Sequence, residues 1–360
     1  MARIDPFLKH LRASGGSDMH FVTGLPPRMR VHGALLPLAN VGAASADELR
    51  ALLKEIITEE QWRAYQRDLE LDFAHNIPGV GRFRANYFVQ DSGAAAVFRI
   101  IPETIQSLTD LRMPKIVERF AHLRSGLVLV TGPTGSGKST TLAAIIDAIN
   151  QSYAKHIITI EDPIEFVHTN KMSVLSQREV GTHCKDFASA LRGAIRQNAD
   201  VILVGELRGR EVELAILAAE MGALVFGTLH TNSAVKTVDR LVDIFPIDQQ
   251  EQVRVGLAEA LAGVVSQVLV PLANGKGRAA AVEVLAKTSG LANIIREGNT
   301  PQLMNLIQSG KAHGMQTMDD ALDILVQQGV VHPKDAYQRA LDKSRFEALL
   351  EPGSQEAPPT

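Results

Sequence analysis

An α/β chain of two unequal domains is what the sequence predicts, and three observations predict it. From Gly126 onward, short aliphatic runs alternate with helical segments; those runs are apolar on both faces; and the first leads straight into a glycine-rich turn and a helix. Alternation of this kind gives a mostly parallel sheet covered by helices. Continuous apolarity is what a strand shows when helices pack on both of its faces. At 360 residues the chain exceeds the roughly 100 to 200 residues of one domain, which leaves room for a second.

Residues 1–101 read as a small α+β domain. The runs SDMHFVT and PRMRVHG are extended and separated by turn-prone residues 24–27. A helical period follows over 46–57, and Ser45 and Glu48 have capping-box spacing. GRFRANYFVQ and GAAAVFRII then alternate with period two on either side of Asp91, Ser92 and Gly93, as a hairpin in a mixed sheet does. In that hairpin Arg82 and Arg84 share one face, Arg99 lies on the neighbouring run, and Phe83, Ala85, Tyr87 and Val89 take the opposite face. Residues 102–125, with Pro102 and Pro114, read as a linker.

Residues 126–288 carry the alternating pattern, with strand candidates LVLVTG, HIITIED, VILVGE, ALVFGTLHT and RAAAVEVL. Residues 289–350 are helical and punctuated by Gly and Pro, as in a small helical bundle. Residues 351–360, EPGSQEAPPT, have almost nothing apolar to bury and are expected to be disordered.

The turn between LVLVT and STTLAAIIDAI reads GPTGSGKS, which satisfies G-x-x-x-x-G-K-[ST] in the strand-turn-helix context its mechanism requires. Gly132, Gly135 and Gly137 let the backbone fold closely around phosphates, so that N–H groups and the helix N-terminus meet the negative charge. Pro133, Thr134, Ser136 and Thr140 complete the expected cradle. Lys138 is expected to reach the β- and γ-phosphates, and Ser139 to ligate magnesium. ATP and Mg2+ are the cofactors this implies.

Hydrolysis needs a further group, often a carboxylate, that holds the metal or orients the attacking water. VILVGE puts Glu206 just past an apolar run, where an acid projects from the carboxyl edge of a sheet. ITIEDPIE delivers Glu161, Asp162 and Glu165 after another run, with Pro163 fixing the turn, and His230 closes VFGTLHT at the same edge. A lone carboxylate at a strand end is usually a solvated loop residue, but three strands converging on one edge favour a functional reading. Position alone leaves open whether His230 is structural. It also leaves Arg82, Arg84 and Arg99 either as solvated edge charge or as guanidinium groups that neutralise charge developing on a nucleotide. His20, His32, His75, His122 and His313 lack metal-ligand spacing and read as structural or exposed.

Composition narrows the function classes. No stretch approaches the roughly 18 apolar residues that a membrane-spanning helix needs, and the start MARIDPFLKHLRASGG lacks a secretory apolar region, so a cytoplasmic protein is expected. The single cysteine, Cys184, excludes an internal disulfide and a multi-cysteine zinc site, and reads as an inert small side chain. A net charge of -3 gives no global basic field for nucleic acid.

With these pieces assembled, the chain resembles the PilT family of type IV pilus retraction ATPases, in the GspE/PulE/PilT group of the secretion-ATPase superfamily. The resemblance runs through SDMHF, PPRMRVHG, GRFRANYF, VFRIIP, GPTGSGKSTT, ITIEDPIEFVH, QREVG, ILVGELR, VFGTLHTNSA, GMQTMDDAL and LVQQG. It implies a PAS-like N-terminal domain joined to a RecA-like P-loop NTPase domain, assembled as a homohexamer with nucleotide between subunits. It implies pilus retraction through an inner-membrane platform protein, with the motor peripheral to the membrane at the pilus base. It makes Lys138 and Ser139 the Walker A pair, Glu206 the Walker B acid, Glu165 a candidate general base, His230 a His-box histidine, and Arg84 and Arg99 the arginines that approach the γ-phosphate. The sequence departs from the family pattern at Ala223, Gly209 and Val282, where histidine, aspartate and histidine are usual, and retains the AIRNLIRE pattern only in part, as LANIIREG. Alternative readings are an accessory or regulatory paralogue, a pilus-assembly or type II secretion ATPase, and a RecA-like nucleic-acid motor. The assembly relatives usually carry a four-cysteine zinc motif that this chain lacks.

Overall fold

The computed structural model describes residues 2–31, 34–102 and 104–350. The expected disorder of 351–360 and the reading of His32 lie outside the described residues. The chain divides into two compact units, Met1–Thr104 with Pro163–Val167, and Ile105–Asp162 with His168–Thr360.

In the first unit, β1 (Asp18–Val22), β2 (Arg28–Val31), β3 (Ala34–Pro37), β4 (Glu70–Ile77), β5 (Gly81–Gln90) and β6 (Gly93–Ile101) form one sheet in the order β3-β2-β1-β6-β5-β4. Every described pairing is antiparallel, so the expected mixed sheet is not found. Neighbouring strands joined by tight turns, as β5 and β6 are, can pair only this way, since a parallel pair needs a crossover of a dozen or more residues. The period-two reading of β5 holds: Phe83, Ala85 and Tyr87 are buried while Arg82, Arg84 and Asn86 are not. Val89 departs from it, 45% exposed near the strand end. Tyr87 packs edge-on against Phe73 and Phe98, and helices Asp5–Ala13, Ala46–Lys54 and Glu59–Asp68 supply Leu8, Leu49, Leu53 and Trp62 to the same core. The capping box of Ser45 and Glu48 is formed, and its helix ends at Lys54.

In the second unit, β7 (Gly126–Thr131), β8 (His156–Glu161), β9 (Val174–Glu179), β10 (Val201–Val204), β11 (Leu224–Leu229), β12 (Leu261–Pro271) and β13 (Arg278–Ala286) lie in the order β13-β12-β7-β11-β10-β8-β9. All pairings are parallel except that of β12 with β13. β7, β10 and β11 are buried throughout, the signature of a sheet covered on both faces. Parallel strands bring their carboxyl ends to one edge, so the residues after β7, β8, β10 and β11 are neighbours there. β12 does not stand out in the sequence. It begins one residue after helix Ile247–Ala260 with no Gly or Pro between them, and its apolar run reads as more helix.

Residues read as linker contribute to this unit: helix Lys115–Ala121 buries Ile116, Val117 and Phe120 in the main core. The C-terminal helices serve two cores. Ser289–Glu297 and Gln302–Ser309 place Leu291, Ile295, Leu303 and Ile307 in the main one. Met318–Gln327 and Pro333–Arg339 pack with Val270, Ala279 and Ala281 in a smaller one. No helix among the described residues is long and apolar enough to cross a membrane.

Candidate functional site

The loop after β7 is shaped by glycine. Gly132, Gly135 and Gly137 sit at φ of 142°, 76° and 87°, the region that L side chains avoid. At Gly132 a Cβ would also stand 2.3 Å from the Gln267 carbonyl oxygen and 2.6 Å from Ser136 Oγ. The loop delivers Lys138 as the first residue of helix Lys138–Ser152, whose opening N–H groups have no partner inside the helix. Lys138 Nζ donates to the carbonyls of Gly132 (2.9 Å) and Pro133 (3.0 Å), drawn back over the loop itself. Pro133, Thr134 and Gly135 are exposed, and Ser139 and Thr140 are partly so.

A residue that sequence reasoning missed holds this loop from below. Gln267, 1% exposed on β12, donates from Nε2 to the Ser136 carbonyl (2.5 Å) and accepts from Thr141 Oγ1 (3.0 Å) at Oε1. One buried amide thus ties the loop to the first turn of its helix. Its only signal in the sequence is a lone glutamine in the apolar run VVSQVLV.

Glu206 follows β10 at the same edge, with its side chain 25% exposed. Arg208 Nη2 donates to Oε2 at 2.6 Å, and His230 Nε2 stands 3.5 Å from Oε1. The structure therefore brings Glu206 and His230 together, with Arg208 as a third member not foreseen from sequence. Glu161 ends β8, where its Oε1 accepts from Thr159 Oγ1 (2.7 Å) and Gln177 Nε2 (3.4 Å). Glu165 is partly exposed between buried Ile164 and Phe166, in the segment that groups with the first unit.

Arg84 and Arg99 face each other directly across β5 and β6. Together with Asp72, Asn86 and Val97 they line an open depression of about 310 Å³. Like charges directly opposite repel, so each needs an acid. Arg99 Nε donates to Asp18 Oδ1 at 2.7 Å, and Arg84 Nε lies 3.7 Å from Asp72 Oδ1. Burial pushes the Asp18 carboxyl up, but hydrogen bonds from Ser17 and Arg99 and the Arg99 charge bring it below the usual carboxylate range. Of the remaining histidines, His75 bonds Asp5 and His122 bonds Tyr153, His20 is partly buried, and His313 is exposed. Burial also pushes the Cys184 thiol up, which suits an unreactive side chain.

The family described as "Type II/IV secretion system protein" matches residues 2–345. The chain belongs to that family. It is 49% identical over 315 residues to a "Twitching motility protein" of Neisseria gonorrhoeae, covering 87% of this chain and 84% of the relative. It is 46% identical over 333 residues to the type IV pilus retraction ATPase PilT of Pseudomonas aeruginosa, covering 92% and 96%. The crystal structure of the pilus retraction motor PilT with bound ADP superposes with a TM-score of 0.88 at 43% identity, covering 97% of this chain and 99% of that one.

Two departures from the family pattern acquire a physical meaning here. Ala223 precedes β11 at the edge opposite His230, roughly 20 Å away at about 3.3 Å per strand residue. It removes nothing from the phosphate edge. Gly209 precedes helix Arg210–Glu220 at φ 52°, ψ -112°, where no side chain caps the helix. An aspartate at this position would require a different backbone.

Proposed function

We propose that this chain is an ATP-hydrolysing motor that powers retraction of type IV pili. It works as a homohexamer at the cytoplasmic face of the inner membrane, where it engages a platform protein of the pilus machinery. One observation carries the reading. A chain that matches a pilus retraction ATPase over 92% of its length keeps an intact phosphate loop on the same sheet edge as a glutamate flanked by an arginine and a histidine.

Lys138 Nζ, bonded to the carbonyls of Gly132 and Pro133, puts a positive charge at the loop. The N–H groups of the loop and helix N-terminus supply the rest of the anion cradle. Magnesium is bound through one or two protein oxygens together with substrate phosphates. The partly exposed Ser139 hydroxyl, in the first helical turn, would hold the ion, which when bound would supply charge neutralisation to the phosphates. Glu206, oriented by Arg208 on one oxygen and faced by His230 at the other, is placed to orient the attacking water. Glu161 and Glu165 are the candidate general bases. Arg84 and Arg99, fixed in register on a sheet, supply positive charge to the nucleotide as it develops negative charge.

The test is ATP turnover by the wild type and by Glu206→Gln. Turnover is expected in the wild type and a loss of at least about 100-fold in the variant, with ADP binding retained in both. Equal, negligible rates in the two proteins would replace the motor with a nucleotide-binding regulator.

A further inference from the structure

The polar interior beneath the phosphate loop holds an acid that the reading above does not use. Glu283, on β13, is 1% exposed. Its Oε1 accepts the Ala234 N–H at 2.7 Å, and Oε2 has no hydrogen-bond partner among the described residues. Burial pushes the carboxyl above its usual range, against the pull of the Ala234 and Met318 amides.

Ala234, itself 0% exposed, is the first residue of helix Ala234–Asp243, which is capped by Ser233. The opening N–H groups of a helix have no internal partner, and one buried without an acceptor is destabilising. Ser233 Oγ takes the Lys236 N–H, and Glu283 takes that of Ala234. One turn further, Thr237, 0% exposed, fixes the same helix to its surroundings. Its Oγ1 donates to the Ser233 carbonyl (2.7 Å) and lies 2.7 Å from Thr231 Oγ1 and 3.5 Å from Thr131 Oγ1, at the end of β7. Between β11 and this helix lie only residues 230–233, beginning with His230 beside Glu206.

We infer that Glu283 is a positioning residue for the ATP site: its carboxylate pins the start of helix Ala234–Asp243, and through residues 230–233 it sets His230 against Glu206. The inference rests on the proposed function for what the site does, but not for how the segment is held. Without the carboxylate, the buried Ala234 N–H is left unpaired. The turn before it relaxes toward water while Thr237 keeps the rest of the helix at Thr131, so the displacement falls on residues 230–234. A misplacement of about 1 Å is enough to cost a large factor in rate. The phosphate loop has its own support in Gln267, and binding of nucleotide is spared.

Three variants test this, each measured for ATP turnover and for amide hydrogen exchange. Glu283→Ala is expected to lower kcat about ten-fold with KM for ATP within about two-fold. Exchange should quicken over residues 230–237 while residues 132–141 stay protected. Glu283→Gln keeps the acceptor and should stay within about three-fold of wild-type kcat. Ala234→Pro removes the donor and sets the ring against the Glu283 carboxylate, at a place where proline suits the first helical position and Ser233 is already extended at φ -155°, ψ 158°. It should reproduce the Glu283→Ala pattern and carries the test if that variant does not fold. Unchanged kcat in Ala234→Pro, a raised KM with kcat intact, or a Glu283→Gln loss as large as that of Glu283→Ala would each overturn the inference. If the wild type turns over no ATP, the proposed function fails on its own. Exchange then decides: quickening over residues 230–237 in Ala234→Pro upholds the positioning role, and unchanged exchange overturns it.

Discussion

The chain carries two charged arrays on two sheets, and they are held in different ways. At the carboxyl edge of the second unit's parallel sheet, Lys138 follows a loop braced from within by a fully buried glutamine, and Glu206 follows another strand of that sheet, held by Arg208. On the antiparallel sheet of the first unit, Arg84 and Arg99 are 43% and 69% exposed and stand directly opposite one another. Among the described residues, Asp18, 5% exposed, holds Arg99 from a buried position, while Asp72 is as exposed as the Arg84 it faces. The first array is shaped for one geometry by the core beneath it. The second keeps its charge near solvent, available to a ligand that arrives from outside.

The largest effect tests whether the braced array does the chemistry. Lys138→Ala should reduce ATP turnover by at least about 10³-fold, measured as phosphate release, because no other residue supplies a charge inside the loop. Arg99→Ala should come next, with a loss on the order of 10³-fold in kcat if the exposed array serves the same reaction. A loss confined to stability would separate the two arrays. Gln267→Ala should cost about 2 kcal/mol in urea denaturation and raise KM for ATP, since a buried carbonyl and a buried hydroxyl lose their partner.

Asp18→Asn should give a smaller loss whose pH dependence has a definite sign. A carboxyl held below its unfolded value of 3.8 contributes stability above that pH and loses it as the pH falls through the folded value. The gap between wild type and Asp18→Asn in thermal denaturation should therefore be open near neutrality and close in acid. The smallest effect is expected of Asp72→Asn, within about 0.5 kcal/mol by the same denaturation, since its ion pair is 3.7 Å long and exposed on both sides. A large Asp72 effect would mean that the exposed array is braced after all.

What the sequence made legible was local or periodic. The glycine turn between a buried strand and a helix, the period-two face of β5 and the Ser45 and Glu48 cap are each fixed by residues within a few positions. So are the acids that follow apolar runs at Glu161 and Glu206. What stayed hidden depends on pairings between distant residues. Asp18 meets Arg99 only because β1 lies beside β6, 81 residues away. Gln267 meets Ser136 across 131 residues, from a strand whose start is masked by the helix running into it. Glu283 has no local signal of its role, which depends on Ala234, 49 residues away in sequence and 2.7 Å away in space. Gly209 and Ala223 could be recognised as departures from a pattern, but their consequences required a backbone angle in one case and a sheet edge in the other.

The most direct test of the central claim is made in cells. A strain lacking this protein is complemented with the wild type or with Glu206→Gln and scored for twitching motility and surface pili. The account predicts that only the wild type restores twitching, and that the strain with Glu206→Gln carries abundant pili that do not retract. Twitching supported by Glu206→Gln, or a deletion strain without pili, would contradict it.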